Sequence, residues 1–461
     1  MNISIILAAG EGTRMKSKLP KVLHKVCGKP ILQYVIDASK GANVEKNVVV
    51  VGYGGDITKE YFKEEPIIFK TQPIGEGIPY GTGYAVMQAI DHIDDNSTIT
   101  ILYGDTPLIT ESTINKLINY HNKSGFQATV LTAIFEEPTG YGRIIREDSG
   151  NILKIVEQKD ASEEEKKIKE INSGIYCFDG KLLKYALSKI DNNNAQNEYY
   201  ITDVIGILKE EGHRVGAYII EDSTEIHGVN SRVQLSFSEK IMKDRINERH
   251  MENGVTIIDP SNTYIEDTVK IGRDTIIYPG VSLEGSTEIG EDCIIRNNSR
   301  IVNSIISSNV IIESSTIEDS QVGENTHIGP FAHLRPNSNI GENVKIGNFV
   351  EVKNSVIKDN TKAGHLAYIG DADVGHDVNI GCGVIFVNYN GKEKFRTTVG
   401  DNSFIGSNSN LVAPVKVEAR GYVAAGSTIV EEVPEGALSI ARAAQVNKIG
   451  WVEKKDLIKD K

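Results

Sequence analysis

An apolar residue falls on every sixth position along much of the C-terminal half: Ile265, Ile271, Ile277, Leu283, Ile289, Ile295 and Ile301 follow one another without a slip. Small or β-branched residues sit four places after most of them, at Val269, Thr275, Val281, Thr287, Cys293 and Ser299. A second run holds Val322, Ile328, Leu334, Ile340, Ile346 and Val352, with glycine directly after Ile328, Ile340 and Ile346. A helix brings a face back about every 3.6 residues and a strand about every 2, so neither accommodates this period. A parallel β-helix does. Short faces build each coil, every face sends one branched side chain inward, and stacking supplies the core that one face cannot make alone. The period is read as breaking at Ala363–Tyr368 and at Asn388–Phe395, and loops that leave a solenoid are where binding groups tend to sit. After Glu431 the repeat is lost, and the charged end EKKDLIKDK is expected to fray.

The N-terminal half reads differently. Apolar runs at Ile3–Leu7, Asn47–Val51, Ile99–Tyr103 and Ala128–Ile134 alternate with helix-like segments such as Tyr84–Ile93 and Ile114–Lys123. That is the pattern of a mostly parallel sheet covered by helices. Val233, Phe237, Ile241, Met242 and Ile246 then recur at helical spacing, with Gly254 as a stop. The expected organisation is an α/β Rossmann-like domain over residues 1–230, a connecting helix over 231–253, and a parallel β-helix with its tail over 254–461.

A chain of 461 residues is too long for one ordinary core, in keeping with that division. A formal net charge of -13 argues against wrapping nucleic acid, which needs a basic face, so a phosphate-bearing ligand must be met locally. The start MNISIILAAG lacks a basic region and a small-residue cleavage site and reads as a first strand rather than a signal peptide. No apolar run is long enough to insert in a bilayer, and the expected location is cytoplasmic. Cys27, Cys177, Cys293 and Cys382 are scattered, with no CxxC pair and no His at zinc spacing, and read as four free thiols.

The strand Ile3–Leu7 runs straight into LAAGEGTRM and then SKLPKVL. Gly10 and Gly12 let the backbone approach a ligand, amides at the carboxyl edge of a parallel strand suit phosphate oxygens, and Arg14 and Lys21 bring positive charge to the same loop. No third glycine completes a dinucleotide fingerprint, and the GK[ST] of a Walker loop is missing. Leu7 to Leu23 meets in full the string LAAGxGTRMxSxxPKxL, and here the chain resembles the sugar-phosphate nucleotidyltransferases.

The resemblance implies that Leu7, Ala8, Ala9 and Gly10 hold the nucleotide while Arg14 and Lys21 neutralise the triphosphate during attack on the α-phosphorus. It implies a Mg²⁺ site on Asp105, in Tyr103-Gly104-Asp105, and Asn230, in GVNSR. One carboxylate, one amide oxygen and phosphate oxygens are ordinary magnesium ligands. Asn230 reads equally as the N-cap of the connecting helix. PTGYGRI around Gly140, VEQKDA with Glu157 and EINSGIY with Asn172 resemble contacts to N-acetylglucosamine 1-phosphate and UTP, with Gln72, Gly81 and Thr82 on the uracil. The loop PIGEGIPY after Gln72 is longer than the family form, and Tyr84 stands where His is usual.

This half joined to a six-residue repeat resembles, over nearly the whole chain, the family that combines N-acetylglucosamine 1-phosphate uridyltransferase with glucosamine 1-phosphate acetyltransferase. GPFAHLRP, GNFVEVKNS, KAGHLAYIGD, VNIGCG, VNYNG, FIGSNSNLVAPV and YVAAGSTI carry the resemblance. Repeats alone would also suit an oligomerisation module. The resemblance implies a left-handed β-helix, a homotrimer, acetyl-CoA as acetyl donor, and a product, UDP-N-acetylglucosamine, on the route to peptidoglycan precursors. His365, structural if taken alone, becomes the base, since an imidazole has the pKa to take a proton from the attacking amine. Arg335 and Lys353 are implied on the sugar phosphate, Tyr368 and Asn379 on the sugar. Asn388, Tyr389, Ser407, Ala425 and Arg442 are implied around acetyl-CoA, and Cys382 as a small buried residue at a backbone contact to the coenzyme. The strand Val384-Ile385-Phe386 carries larger apolar groups than the Thr-rich family form, and Asn390 replaces a usual Asp.

Overall fold

Ile3, Ile5, Ile6 and Leu7, Val48 to Val51, and Ile99, Ile101 and Leu102 are all buried, as strands covered on both faces must be. They lie at the centre of a sheet ordered Val215–Ile219, Ala128–Ile134, Glu170–Asp179, Thr98–Tyr103, Asn2–Ala8, Lys46–Val51, Ile68–Thr71. Along this order the pairings are parallel except at Glu170–Asp179, which runs antiparallel to both neighbours and also pairs with Arg143–Arg146, itself antiparallel to Ile152–Val156. Separate apolar clusters cover the two faces. The computed structural model describes residues 1–148, 150–455 and 457, and the chain divides into two compact units, Met1–Lys243 and Asp244–Lys461.

In the first unit the strand Asn2–Ala8 has Lys46–Val51 on one side and Thr98–Tyr103 on the other, so the strand order reverses there. Open α/β sheets bind ligands beyond the carboxyl ends of their strands at such a switch point. LAAG and Asp105 emerge at that edge. The four strands expected from sequence are present, but the helix expected over Tyr84–Ile93 is not continuous. It starts earlier, runs Thr82–Met87, and gives way to a 3-10 turn at Ile90–His92. The chain tightens there because the Ala89 and His92 amides bond three residues back, to Val86 and Ala89. The helix Glu111–Ser124 is capped by the Thr110 hydroxyl, which accepts from the Thr113 amide at 3.2 Å, and stops at Gly125, whose φ is 64°.

The helix Arg232–Glu252 contains the apolar positions read from the sequence, but only Met242 and Ile246 are buried; Val233 is 80% exposed. Its start is capped by Ser231, whose hydroxyl accepts from the Gln234 amide at 3.3 Å, and not by Asn230. The Asn230 side chain is directed elsewhere. Among the described residues no helix is long and apolar enough to cross a membrane.

In the second unit each strand is two to nine residues long and every ladder pairing is parallel. The six-residue period becomes one buried side chain per face. Ile265, Leu283, Ile301, Ile317, Leu334, Val352 and Ile369 form one stack. Ile289, Ile306, Val322, Ile340, Ile357 and Val374 form another, and Ile277, Ile295, Ile312, Ile328, Ile346, Ala363 and Ile380 a third. Corners need left-handed backbone, which Asn tolerates better than most residues, and Asn298, Asn309, Asn325, Asn343 and Asn360 hold φ between 54° and 60°. This is the parallel β-helix expected from the six-residue period.

The period does not break at Ala363–Tyr368. Ala363 fills the inward slot between Ile346 and Ile380, fully buried, and the strand Lys362–Gly370 passes through while turning a corner at Leu366, φ 35°. Asn388–Phe395 does leave the coil, closed by a bridge between Tyr389 and Lys394. The coil also outlasts Glu431, since Leu438–Ser439 still pairs with Tyr422–Val423. Of the charged end, Trp451–Lys454 is helical, while Asp456 and residues 458–461 lie outside the described residues.

Candidate functional sites

Lys21 is carried into the sheet edge by the turn that follows Gly12. A Cβ on Gly12, φ 63°, would stand 2.7 Å from the Lys21 Cβ, so only glycine admits the lysine there. The Lys21 ammonium lies 2.6 Å from Asp105 Oδ2 and 2.9 Å from Asn230 Oδ1. The pair is only 12% and 13% exposed, so it is poorly screened. A carboxylate oxygen and an amide oxygen thus converge on one cation, and a hard divalent ion takes the same donors. Among the described residues no cluster of three or more His, Cys, Asp or Glu could hold a metal ion.

These groups border a cavity of ≈ 540 Å³. Leu7, Ala8, Ala9, Gly10, Arg14, Lys21, Gln72, Gly81, Thr82, Asp105, Gly140, Glu157, Asn172 and Asn230, all proposed from sequence, line it, while Gly12 lies in the adjoining cleft with Arg14 and Lys21. Gln72 is 3% exposed and its Nε2 has no hydrogen-bond partner, a buried donor that a ligand acceptor would satisfy. Burial raises the pKa of Glu157 against the Thr202 hydroxyl, which stands 3.4 Å from its Oε1. Asn172 Nδ2 donates to the Tyr176 hydroxyl at 2.8 Å, and its Oδ1 accepts from the Gly174 amide. The Gly140 amide and one Arg143 nitrogen both donate to Gln158 Oε1, which fixes the 139–142 turn.

Sequence reasoning missed Tyr80, Tyr103, Thr106, Tyr141, Ser173, Glu198 and Gln234, which also line the cavity. Most stand within two residues of a recognised string, and that adjacency was the available signal. Tyr84 packs on Tyr199, ring centroids 6.3 Å apart, and is not a lining residue; of the loop PIGEGIPY only Tyr80 is.

In the second unit the strand Lys362–Gly370 carries His365 on one side of the Leu366 corner and Tyr368 on the other. His365 Nδ1 is 2.6 Å from Asn348 Oδ1 in the preceding coil, which fixes the ring of this exposed histidine. Cys382, Ser407 and Ala425 each stand two residues past a paired Ile380, Ile405 and Val423, so they continue the ladder that starts with Asn348 and His365. Cys382 is exposed, not buried as expected: Ile380 and Val384 on either side fill the inward positions, and the cysteine between them falls on the outside of the coil. A Cβ on Gly426 would lie 3.6 Å from Arg442, which brings that residue to the end of the ladder.

Beyond the corner, Arg335 bonds Glu351 at 2.8 Å, the Cα partner of Glu351 is Tyr368, and Lys353 lies two residues on from Glu351. Asn388 donates to the Tyr368 hydroxyl at 3.3 Å, and the Tyr389 hydroxyl turns back to Gly391 O. Asn379 stands apart from this group, on the strand between Lys362 and Phe404. The structure therefore gathers Arg335, Lys353, Tyr368 and Asn388 at one place and His365, Cys382, Ser407 and Ala425 along an adjoining edge. The Asn348 partner of His365 was missed, because pairing across coils is invisible within one string.

A family model for nucleotidyl transferases matches residues 3–230, and one for the bacterial transferase hexapeptide matches residues 268–303 and 319–354. A relative from Clostridioides difficile (strain 630), named Bifunctional protein GlmU, is 59% identical over 454 residues, 98% of either chain. Relatives of the same name from Alkaliphilus oremlandii (strain OhILAs) and Alkaliphilus metalliredigens (strain QYMF) are 60% identical over 99% and 57% identical over 98% of either chain.

Proposed function

Since this chain belongs to the bifunctional GlmU family, we propose that the residues gathered at its two sites perform the family's two reactions in sequence. The enzyme makes UDP-N-acetylglucosamine, with an acetyltransferase in the hexapeptide half and a uridylyltransferase in the nucleotidyltransferase half.

In the acetyl transfer His365, oriented by Asn348, takes a proton from the amine of glucosamine 1-phosphate. The nitrogen attacks the thioester carbonyl of acetyl-CoA, the N–C bond forms, the C–S bond breaks, and the thiolate leaves to be protonated as CoA. Arg335 and Lys353 hold the sugar phosphate and Tyr368 and Asn379 the sugar. The coenzyme runs along Cys382, Ser407 and Ala425 towards Arg442, with Asn388 and Tyr389 beside it.

In the uridylyl transfer an oxygen of the sugar phosphate attacks the α-phosphorus of UTP and the bond to the bridging oxygen of pyrophosphate breaks. Arg14 and Lys21 neutralise the charge that builds on the phosphates. Gln72, Gly81 and Thr82 read the uracil, and Gly140, Glu157 and Asn172 hold the acetylated sugar. Mg²⁺ held by Asp105 and Asn230 would add charge neutralisation at the phosphate oxygens. The observation that carries this reading is the convergence of Arg14, Lys21, Asp105, Asn230 and the sugar-side groups on one cavity.

The enzyme acts as a cytoplasmic homotrimer. Phe331, Phe349 and Leu366, 59%, 57% and 57% exposed, make an apolar ladder beside His365, and that exposed ladder, which a neighbouring copy would cover, supports this reading. A light-scattering mass of one chain would remove it.

The test incubates the protein with glucosamine 1-phosphate, acetyl-CoA, UTP and Mg²⁺ and follows free thiol and pyrophosphate separately. Both are expected, with pyrophosphate dependent on acetyl-CoA. Pyrophosphate from preacetylated sugar alone, without thiol release, would leave the β-helix no chemistry.

A further inference from the structure

Asp371 is a non-glycine residue at φ 50°, buried immediately after the strand that bears His365 and Tyr368. Asp is one of the few side chains that tolerates this backbone. Its carboxylate is fully engaged: Oδ1 accepts from Asn354 Nδ2 at 2.6 Å, Oδ2 accepts from Asn388 Nδ2, and the Lys353 ammonium stands 3.9 Å from Oδ2. Its backbone is engaged as well. The amide donates to Lys353 O at 3.0 Å and the carbonyl accepts from the Thr397 amide at 3.1 Å.

Asn388 and Thr397 flank the segment that leaves the coil, so one residue holds both of its ends. Arg396 reinforces the far end with paired bonds to Asp373 and further bonds to the Ala372 and Asn354 carbonyls. Lys394, on the excursion, meets Lys353, whose ammonium lowers the pKa of Lys394. A carboxylate beside Lys353 offsets that repulsion.

We propose that Asp371 is the positioning residue that couples the two acetyl-transfer substrates, fixing Lys353 for the sugar phosphate and Asn388 for the coenzyme through a single carboxylate. The proposal rests on the reading of Lys353 and Asn388 as substrate-binding groups. Burial alone would raise the pKa of Asp371; the Asn354 and Asn388 amides and the Lys353 and Lys394 charges outweigh it and hold the carboxyl below its ordinary value.

Asp371→Asn tests this. Asn tolerates the left-handed backbone, but its NH₂ must face one of the two amide donors, and no charge remains for Lys353. Displacing a positioned group by about 1 Å costs on the order of 10²-fold, so kcat/KM for acetyl transfer is expected to fall by about that factor. The KM values for glucosamine 1-phosphate and acetyl-CoA should both rise, with uridylyl transfer unchanged. Lys353→Met should raise chiefly the sugar-phosphate KM and Asn388→Ala chiefly the acetyl-CoA KM. If those two variants leave their KM values unmoved, the assignment of the binding groups fails. If they behave as stated and Asp371→Asn moves one KM only, or neither, the coupling role fails. Asn354→Ala, which keeps the charge and removes one amide anchor, should raise both KM values by a smaller factor; a rise in only one would also overturn the proposal.

Discussion

The Lys21 ammonium and the Asp105 carboxylate form a part-buried ion pair at 2.6 Å, with the Asn230 amide oxygen 2.9 Å from the same ammonium. Lys21 therefore sits on the two oxygens that a divalent ion would use. Lys21→Met should free them, and Mn²⁺ added without nucleotide should bind the variant about tenfold more tightly by calorimetry, a change of about 1.4 kcal/mol. Pyrophosphate release should fall by about 10²- to 10³-fold, because a charge-neutralising group is gone. Unchanged Mn²⁺ affinity would mean that ammonium and metal do not compete.

His365→Ala should lower acetyl transfer by about 10²- to 10⁴-fold and leave uridylyl transfer from preacetylated sugar intact. Asn348→Ala should cost less, since the base remains and only its orientation loosens. Equal rates for wild type and Asn348→Ala would show that the 2.6 Å contact does not orient the base.

Cys27, Cys177 and Cys293 are buried and Cys382 is exposed. Burial pushes the Cys177 thiol up to about 12 and raises that of Cys293, so neither forms thiolate readily. Iodoacetamide on the native protein should label Cys382 alone, by peptide mass, and block acetyl transfer; acetyl-CoA should slow the labelling. A fully active enzyme alkylated at Cys382 would separate that residue from the coenzyme track.

His121 is buried against Thr129, and burial lowers its pKa to about 4. The unfolded chain takes up its proton near pH 6.5 while the folded chain does not until about 4, so stability falls with pH across that window. The loss from this residue is roughly 3 kcal/mol by pH 4. His121→Gln should flatten the dependence of denaturation midpoint on pH between 7 and 4.5; an unaltered slope would assign it to other groups.

The β-helix was legible because each inward slot accepts one side chain, and the slots print their spacing on the sequence. Ala363 was misread as a break because the slot needs only a small apolar group, and alanine satisfies it as isoleucine does. The N-terminal cavity was legible because most of its lining groups lie within contiguous strings after strand ends. Asn348, Asp371 and Tyr103 were not, since each acts through a partner supplied by register or packing: His365 one coil away, Lys353 and Asn388 on either side, and the Gly174 turn against the tyrosine ring. Asn230 offered two readings, and the choice came from Ser231, whose hydroxyl caps the helix and frees the amide for Lys21.

The ladder from His365 through Cys382 and Ser407 to Ala425 spans three steps between coils. Adjacent strands stand about 4.8 Å apart, so those steps measure roughly 14 Å. The coil is thus a ruler with fixed gradations. With the coenzyme laid along this ladder as proposed, a donor would be selected by the length between its reactive carbonyl and its far anchor as well as by its chemistry, and deleting one coil would shorten the acceptable arm by a whole gradation.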